Sequence, residues 1–251
     1  MKIKILGSNG WYSNKLGSTM CTLIESKDYY VVLDAGNGLY KLDQHIKEKK
    51  PIFIFLSHFH IDHISGFHIL NKFNFSQGIT IIGQTGTREI LSRIITKPFT
   101  IPFKDLKTRI KIKEVNQGKF DQPEFPFSFE TGFLTHADPC LGYRFNLDDK
   151  LIAYCTDTGP CDSMLSLSKN SDILITECSL KPGEEVNKDW PHLNPQIAAD
   201  MAKKAKAKKL LLTHFAANKY SKKSDRIEAE KSAQKIFTKT KACFDDIVIE
   251  F

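Results

Sequence analysis

The amino-acid sequence predicts an α/β fold, a sandwich of two mixed β-sheets lying face to face with helices outside. Three observations predict it. Short, mostly apolar runs bounded by turn residues recur along the 251-residue chain, among them Ile52-Phe53-Ile54-Phe55-Leu56, Ile79-Thr80-Ile81-Ile82 and Leu210-Leu211-Leu212-Thr213; strands covered on both faces read this way, whereas half-exposed ones alternate. Stripes of helical period lie between these runs. The strand–helix succession of the first part returns in the second, which places the chain in the layered α/β class. A single domain over 1–251 follows, with two related halves at roughly 1–130 and 131–251.

Taken in order, residues 2–7 and 20–34 read as strands. Between them lie turns at Gly7-Ser8-Asn9-Gly10 and Gly17-Ser18, where glycine permits a positive φ or a close backbone approach. No Gly-Lys-Ser/Thr follows the first of these, so it is not a phosphate cradle of the nucleotide-binding kind. Ser26-Lys27-Asp28 turns a hairpin. Leu39, Leu42 and Ile46 form a helical stripe that closes at Lys47–Lys50. The strand after Pro51 precedes a helix from Ile64 to Phe73, a strand at Ile79–Ile82 and a helix from Thr87 to Ile95, stopped by Lys97-Pro98. Pro98-Phe99-Thr100-Ile101-Pro102-Phe103 is a surface loop that either lines a substrate cleft or packs as a plug. Arg109–Val115 and Phe127–Leu134 are strands, and Tyr143–Phe145 pairs with Leu151–Cys155 across a turn at Asn146–Lys150. The strand Asp172–Thr176 leads to a helix from Pro195 to about Lys208, with Asn194 as N-cap and Pro195 in the first helical position. Leu210–Thr213 is a strand, Ser224–Lys239 a helix and Ile247–Ile249 a closing strand.

Hydrophobic residues make up 41% of the chain and charged residues 26%, the balance of a soluble globular protein with a sizeable core. No apolar run reaches the length of a bilayer-spanning helix. The first seven residues alternate like a strand and lack the apolar core and cleavage site of a secretory signal, so a cytoplasmic location is expected. The cysteines, Cys21, Cys140, Cys155, Cys161, Cys178 and Cys243, are scattered without a C-x-x-C pair, as reduced buried thiols are; Cys140 and Cys155 lie near candidate ligands. The net charge of +7 is uneven, because residues 201–241 hold thirteen Lys/Arg against the three acids Asp225, Glu228 and Glu230. That excess fits either a polyanionic substrate, RNA or a phosphate ester, or a solvated helix face.

Residues capable of chemistry concentrate at strand ends. Ser57-His58-Phe59-His60-Ile61-Asp62-His63 follows the strand over 52–56 and packs four potential metal ligands into six residues. Alternate side chains at a strand end aim the same way, so His58 and His60 can reach one ion, while Asp62 and His63, past the turn, can reach a second. His136, Asp157 and His214 each follow a later apolar strand, and converging strand ends build metal sites on rigid elements. His68, alone in its helix, reads as packing or polar decoration.

The stretch His58–His63 resembles the H-x-H-x-D-H motif of the metallo-β-lactamase superfamily. His136, Thr156-Asp157-Thr158-Gly159 and Thr213-His214-Phe215 resemble its later motifs, in the same order, so the likeness covers nearly the whole chain. Within the superfamily the second half is most similar to ribonuclease Z and its short relatives, through Thr176-Glu177-Cys178-Ser179-Leu180, His192-Leu193-Asn194, Ala198-Ala199 and Leu212–Phe215 followed by Tyr220. The resemblance implies the αββα sandwich and two Zn2+ ions, with Mn2+ or Fe2+ also suited to such ligands. His58, His60, His136 and a bridging Asp157 would hold one ion; Asp62, His63, Asp157 and His214 would hold the other. Asp34 resembles the carboxylate that supports the metal histidines, its other reading being a helix N-cap. A homodimer is implied as well.

The same resemblance implies a hydrolase, most naturally a phosphodiesterase using a metal-bridging hydroxide. Asp62 then counts both as a ligand and as a catalytic residue. His192 would give the leaving alkoxide its proton, and Glu177 would orient His192. Asn194 stands where the related motif has Ser or Thr, a change that keeps helix-capping ability. His63 in place of the Arg of many β-lactamases, and His60 in place of the Glu of flavodiiron oxygen reductases, point away from those relatives. Ribonuclease Z proper carries a long tRNA-gripping arm between its third histidine and the bridging aspartate. Here His136 and Asp157 are 21 positions apart, a gap filled by a hairpin. The expected substrate is therefore a small cyclic phosphate or nucleotide, or RNA held by the basic segment. Two other classes stay open: a thioester or lactone hydrolase of the glyoxalase II type, which with a good leaving group has no need of His192, and a non-catalytic metal-binding member of the fold.

Overall fold

The computed structural model describes residues 1–121 and 123–250. In chain order its strands are β1 (Lys2–Gly7), β2 (Asn9–Gly10), β3 (Cys21–Glu25), β4 (Tyr30–Leu33), β5 (Ile52–Phe55), β6 (Ile79–Gln84), β7 (Ile110–Val115), β8 (Gly118–Phe120), β9 (Phe129–Phe133), β10 (Leu141–Leu147), β11 (Lys150–Cys155), β12 (Ile173–Glu177), β13 (Leu210–Thr213), β14 (Phe215–Ala216), β15 (Thr240–Ala242) and β16 (Val248–Glu250). The α-helices are α1 (Leu42–His45), α2 (Ile61–Ile64), α3 (Thr87–Ile94), α4 (Asp162–Ser168), α5 (Pro195–Lys204) and α6 (Lys223–Gln234), with 3-10 turns at Asn37–Lys41, Ser65–Lys72 and Phe103–Asp105. The chain forms two compact units: Met1–Ser8, Gly17–Asn116 and the residues from Asp245 on in the first, Asn9–Leu16 and Gln117–Phe244 in the second.

The sheet of the first unit runs β16-β1-β3-β4-β5-β6-β7. β16, β1, β3 and β4 pair antiparallel, and β4 to β7 pair parallel. β4 and β5 are buried along their whole length, which is why Tyr30–Leu33 and Ile52–Phe55 read as unbroken apolar runs. On one face Val32, Ile54 and Ile81 pack with Leu39, Leu42, Phe67, Leu70 and Leu91 of the helical segments. The Ser26 turn closes β3 onto β4, its N–H and its hydroxyl both donating to Tyr29 O at 3.0 Å.

The sheet of the second unit runs β15-β13-β12-β11-β10-β9-β8, parallel from β15 to β11 and antiparallel from β11 to β8. The β10–β11 hairpin turns on Asp148 and Asp149, both at positive φ (49° and 58°). Such a turn matches the right-handed twist of the strands, and Asp tolerates the left-handed region better than most residues. Met164 and Leu167 of α4, Ala198 and Ala202 of α5, and Ala229 and Ala233 of α6 belong to one core cluster with Leu174, Leu210 and Leu212. β2 pairs in parallel with β14 in a separate two-stranded ribbon.

The α/β class with two mixed sheets and flanking helices is the one the sequence predicts. Several elements differ. Ile64–Phe73 is not an α-helix: the single turn α2 gives way to 3-10 geometry over Ser65–Lys72. Gly66 explains this, because its N–H donates to Ala35 O (2.8 Å) and a Cβ there would lie 2.2 Å from Gly36 O, so the segment is pulled onto the end of β4. The stripe over Leu39–Ile46 is likewise a 3-10 turn followed by the short α1. α5 ends at Lys204, short of Lys208. Lys206 takes the left-handed conformation (φ 55°), its N–H donates to Lys203 O, and Ala207 N–H donates to Ala202 O. That is a Schellman cap built without the glycine that usually announces one. α6 stops at Gln234, past which Ile236 and Phe237 N–H both donate to Ala233 O (2.9 Å) and Thr240 O accepts from Gln234 Nε2 (2.9 Å). α4, β8, β15 and the β2–β14 ribbon carry no periodic signal long enough to be read from sequence.

Five of the six cysteines are buried and all six are free thiols. Burial pushes the thiols of Cys178 and Cys243 up to about 12, and those of Cys21 and Cys155 upward as well. No helix among the described residues is long and apolar enough to cross a membrane. Asn194 caps α5 as predicted, its Oδ1 accepting from Ile197 N–H (2.8 Å) while its Nδ2 donates to Glu184 O (2.8 Å). Asn194→Ala is expected to lower stability by about 1 kcal/mol in urea titration, with Asn194→Ser recovering most of the loss.

Candidate metal centre

In the first unit the site is organised by Asp34, the residue after β4. Its backbone is left-handed (φ 58°) and its N–H donates to Phe55 O at 2.9 Å, prolonging the β4–β5 ladder. The carboxylate is fully buried. Oδ1 accepts from Ser57 N–H (2.8 Å), and Oδ2 accepts from Ser57 Oγ (2.8 Å) and His63 Nδ1 (2.7 Å). An ionised carboxylate can only accept, so the His63 proton sits on Nδ1 and the lone pair on Nε2. Ser57 Oγ, its proton given to Asp34, accepts from His58 Nδ1 at 3.0 Å, which leaves the His58 lone pair on Nε2 too. The His58 ring centroid is 4.4 Å from that of His60 and 4.3 Å from that of His63. His63 Nε2 is 3.5 Å from Asp62 Oδ2. Asp62 and His63 belong to α2, whose turn lies against the β4 end because Gly36 has no Cβ to meet Asp62 O.

In the second unit three more candidate ligands follow strand ends. His136 lies past β9, Asp157 past β11 and His214 directly after β13. Asp157 and His214 are left-handed (φ 47° and 48°), a conformation that costs a non-glycine residue about 1–2 kcal/mol. His214 Nδ1 sits between Ser179 Oγ (3.0 Å) and Asp157 Oδ1 (3.1 Å), and Ser179 Oγ donates to His214 O (2.9 Å). The ring lies flat against Gly10, where a Cβ would come 2.4 Å from His214 Cε1.

Glu177 ends β12 and is fully buried. Its Oε1 accepts from Thr158 N–H (2.6 Å) and its Oε2 from Ser179 N–H (3.3 Å), while His192 Nδ1 stands 2.8 and 3.0 Å from the two oxygens. His192 is half-buried rather than a surface histidine; its ring centroid is 5.6 Å from His136 and 6.1 Å from His214. Asp157, Glu177 and His192 offer ligand atoms within 4.8 Å of one another. Glu177 already accepts from two backbone amides and an imidazole, so it suits a carboxylate–histidine pair better than an ion.

The basic segment divides between structure and surface. Arg226 is fully buried: Nη1 donates to Cys243 O (2.9 Å), Nη2 to Asn9 Oδ1, and the guanidinium stacks 4.6 Å from the Phe215 ring and 5.2 Å from that of Phe244. It therefore fixes the neighbours of Gly10 and His214. Lys204, Lys208, Lys219 and Lys241 form ion pairs with Asp200, Asp172, Glu184 and Glu230. His68 is exposed and bonded to its own turn, Nδ1 to Ser65 O at 2.6 Å. In the Pro98–Phe103 loop Phe103 packs on the first unit's core, as a plug would, while Phe99 is 73% exposed.

Among the described residues, the candidate ligand groups consist of His, Asp and Glu, with no cysteine; Cys140 instead donates its thiol to Thr156 O (3.4 Å). Neutral imidazoles with fixed lone pairs beside carboxylates suit zinc and comparable divalent ions. Ser57, Thr158, Ser179, Gly10 and Arg226 were given no role from sequence. Ser57 lies inside the histidine stretch, Gly10 inside a glycine turn, and Thr158 and Ser179 inside stretches that carry the resemblance; Arg226 has no local signal.

Asp34→Asn is expected to weaken divalent metal binding about 10- to 100-fold in chelator-competition titration, because the His63 tautomer loses its anchor. Gly10→Ala is expected to displace the His214 imidazole and lower metal content on dialysis, with the fold kept by circular dichroism.

Comparison with known proteins agrees with this architecture. The Beta-lactamase superfamily domain matches residues 29–215, a span that contains all seven candidate ligands. The chain is 28% identical to the probable metallo-hydrolase YhfI of Bacillus subtilis (strain 168), covering 86% of this chain and 87% of that protein. The crystal structure of YhfI, a metallo-beta-lactamase fold protein, superposes with a TM-score of 0.82 at 24% identity over 100% of this chain and 98% of its own. A ribonuclease Z of Bacillus licheniformis is 24% identical over 98% of this chain and 97% of the relative. The structure of a diphosphatase from the PhnP family gives a TM-score of 0.74 at 20% identity, covering 100% and 97%. The chain thus belongs to the β-lactamase superfamily domain family and has the metallo-β-lactamase fold.

Proposed function

We propose that this metal-dependent hydrolase is a phosphodiesterase working as one domain over 1–251. The two ligand sets would close on a pair of divalent ions, zinc above others: His58, His60, His136 and Asp157 around one, Asp62, His63, Asp157 and His214 around the other. Bound there, such ions supply hydroxide near neutral pH and neutralise charge on the phosphoryl oxygens.

The observation that carries the reading is the His192–Glu177 pair, with Nδ1 2.8 Å from a buried carboxylate oxygen. A diester's leaving alkoxide is a strong base and departs only with a proton; a thiolate has no such need. Glu177 accepts the hydrogen bond of His192 Nδ1–H, fixes the ring, and compensates its charge while both nitrogens are protonated. As the P–O bond breaks, its electron pair goes to the departing oxygen and the Nε2 proton follows. Relatives that are a ribonuclease Z and a PhnP-family diphosphatase support phosphorus chemistry. The β10–β11 hairpin, which takes up most of the span between His136 and Asp157, supports a small cyclic phosphate, a nucleotide or an oligonucleotide as substrate over a folded tRNA.

The test is a turnover screen of metal-loaded protein on 2′,3′-cyclic AMP, bis-p-nitrophenyl phosphate, a thioester, a lactone and a pre-tRNA. Diester hydrolysis is expected, lost with chelator and restored by metal. His192→Ala is expected to lower turnover of the cyclic nucleotide about 100- to 10,000-fold at unchanged metal content. It should affect bis-p-nitrophenyl phosphate less, because p-nitrophenolate leaves unaided. Thioester or lactone turnover above diester turnover would overthrow the reading.

A further inference from the structure

The loop that carries His192 also carries an aromatic face. Leu180 N–H donates to Leu193 O at 3.0 Å and closes the loop at its base. Inside it, Asn187 Oδ1 accepts from Asp189 N–H (2.8 Å) and Trp190 N–H (3.2 Å), and Glu184 Oε2 accepts from Lys181 N–H (2.9 Å). Glu184 also pairs with Lys219 and gives its carbonyl to Asn194. Pro191 is buried on Gly159, where a Cβ would lie 2.9 Å from the proline ring. Trp190 is therefore fixed by the turn before it and the proline after it. Even so, it is 50% exposed. Its ring meets His136 edge-on, with centroids 5.7 Å apart and planes at 69°.

A rigid loop holding a large apolar ring half in water, beside one candidate ligand and two residues from the proton donor, has the form of a stacking platform. Its position fixes which part of a substrate it meets. His192 stands on the leaving-group side of the phosphorus, so the ring next to it meets what the leaving oxygen carries. An indole face binds a planar π system and discriminates poorly among bases, while the chain's net charge of +7 favours a phosphate-bearing ligand. We propose that Trp190 stacks the base of a nucleoside on the leaving side of the scissile phosphodiester, which makes the substrate class nucleotide rather than sugar or glycerol phosphate. The proposal rests on the phosphodiesterase reading above, and its test separates the two.

The two probes are 2′,3′-cyclic AMP and glycerol 1,2-cyclic phosphate, which share the reacting five-membered ring and differ in the base. The wild type is expected to show a KM about tenfold lower for the nucleotide. Trp190→Ala should abolish that difference by raising the KM for the nucleotide to that for glycerol cyclic phosphate, and Trp190→Phe should keep most of it. An equal fall of kcat on both substrates, or a KM ratio unmoved by Trp190→Ala, overturns the stacking role in favour of a structural one. If the wild type hydrolyses neither, the phosphodiesterase reading fails, and binding decides the inference alone. The chain has two tryptophans, so Trp11→Phe leaves Trp190 as the sole indole. Adenosine 5′-monophosphate is expected to quench its fluorescence saturably and ribose 5-phosphate is not; equal or absent quenching overturns the proposal.

Discussion

The buried carboxylate of Asp34 is the contact on which the first unit's site depends. A carboxylate taken out of water is costly unless its oxygens are filled, and this one accepts from Ser57 N–H, Ser57 Oγ and His63 Nδ1. Satisfying Asp34 settles the rest. The backbone after β5 is drawn to the end of β4, Ser57 is oriented as a relay, and the lone pairs of His58 and His63 are assigned to Nε2. Two side chains that would otherwise rotate are thereby preorganised as candidate ligands.

The second unit reaches the same end by other means. Ser179 holds His214 and Glu177 holds His192, in each case through Nδ1. His58, His63, His192 and His214 are thus all engaged through the same ring nitrogen, Nδ1. Glu177 in turn depends on the backbone amides of Thr158 and Ser179, which ties the loops after β11 and β12 together. Arg226 acts one layer further out, clamping the ribbon of β2 and β14 from which Gly10 faces His214.

Much of this was legible in the sequence, for a physical reason. Ligands must come from side chains with lone pairs, and parallel strands are unbroken apolar runs, so His58–His63, Asp157 and His214 stand out at the ends of such runs. Glu177 and His192 were also visible, though only through a resemblance. What stayed hidden has no period or composition. Lys206 caps α5 in the left-handed region where glycine is the usual signal, so the helix was read four residues too long. Gly66 and Gly36 convert a helical stripe into a 3-10 turn by close backbone approach, which only the tertiary partner reveals. Arg226 looked like one charge among thirteen, yet it is buried and stacked, because burial of a cation depends on what surrounds it and not on its neighbours in sequence.

Asp34, Asp157 and His214 share the left-handed backbone at the ends of parallel strands. At each of these positions glycine is the residue the backbone prefers, by about 1–2 kcal/mol. The side chain, not the backbone, is therefore what keeps aspartate or histidine at each of them. At Asp34 the opposing gain is visible in the fold itself: its buried carboxylate accepts from Ser57 N–H, Ser57 Oγ and His63 Nδ1, and glycine there would leave those donors unfilled. The three side chains are thus held against the conformational preference of their own backbone.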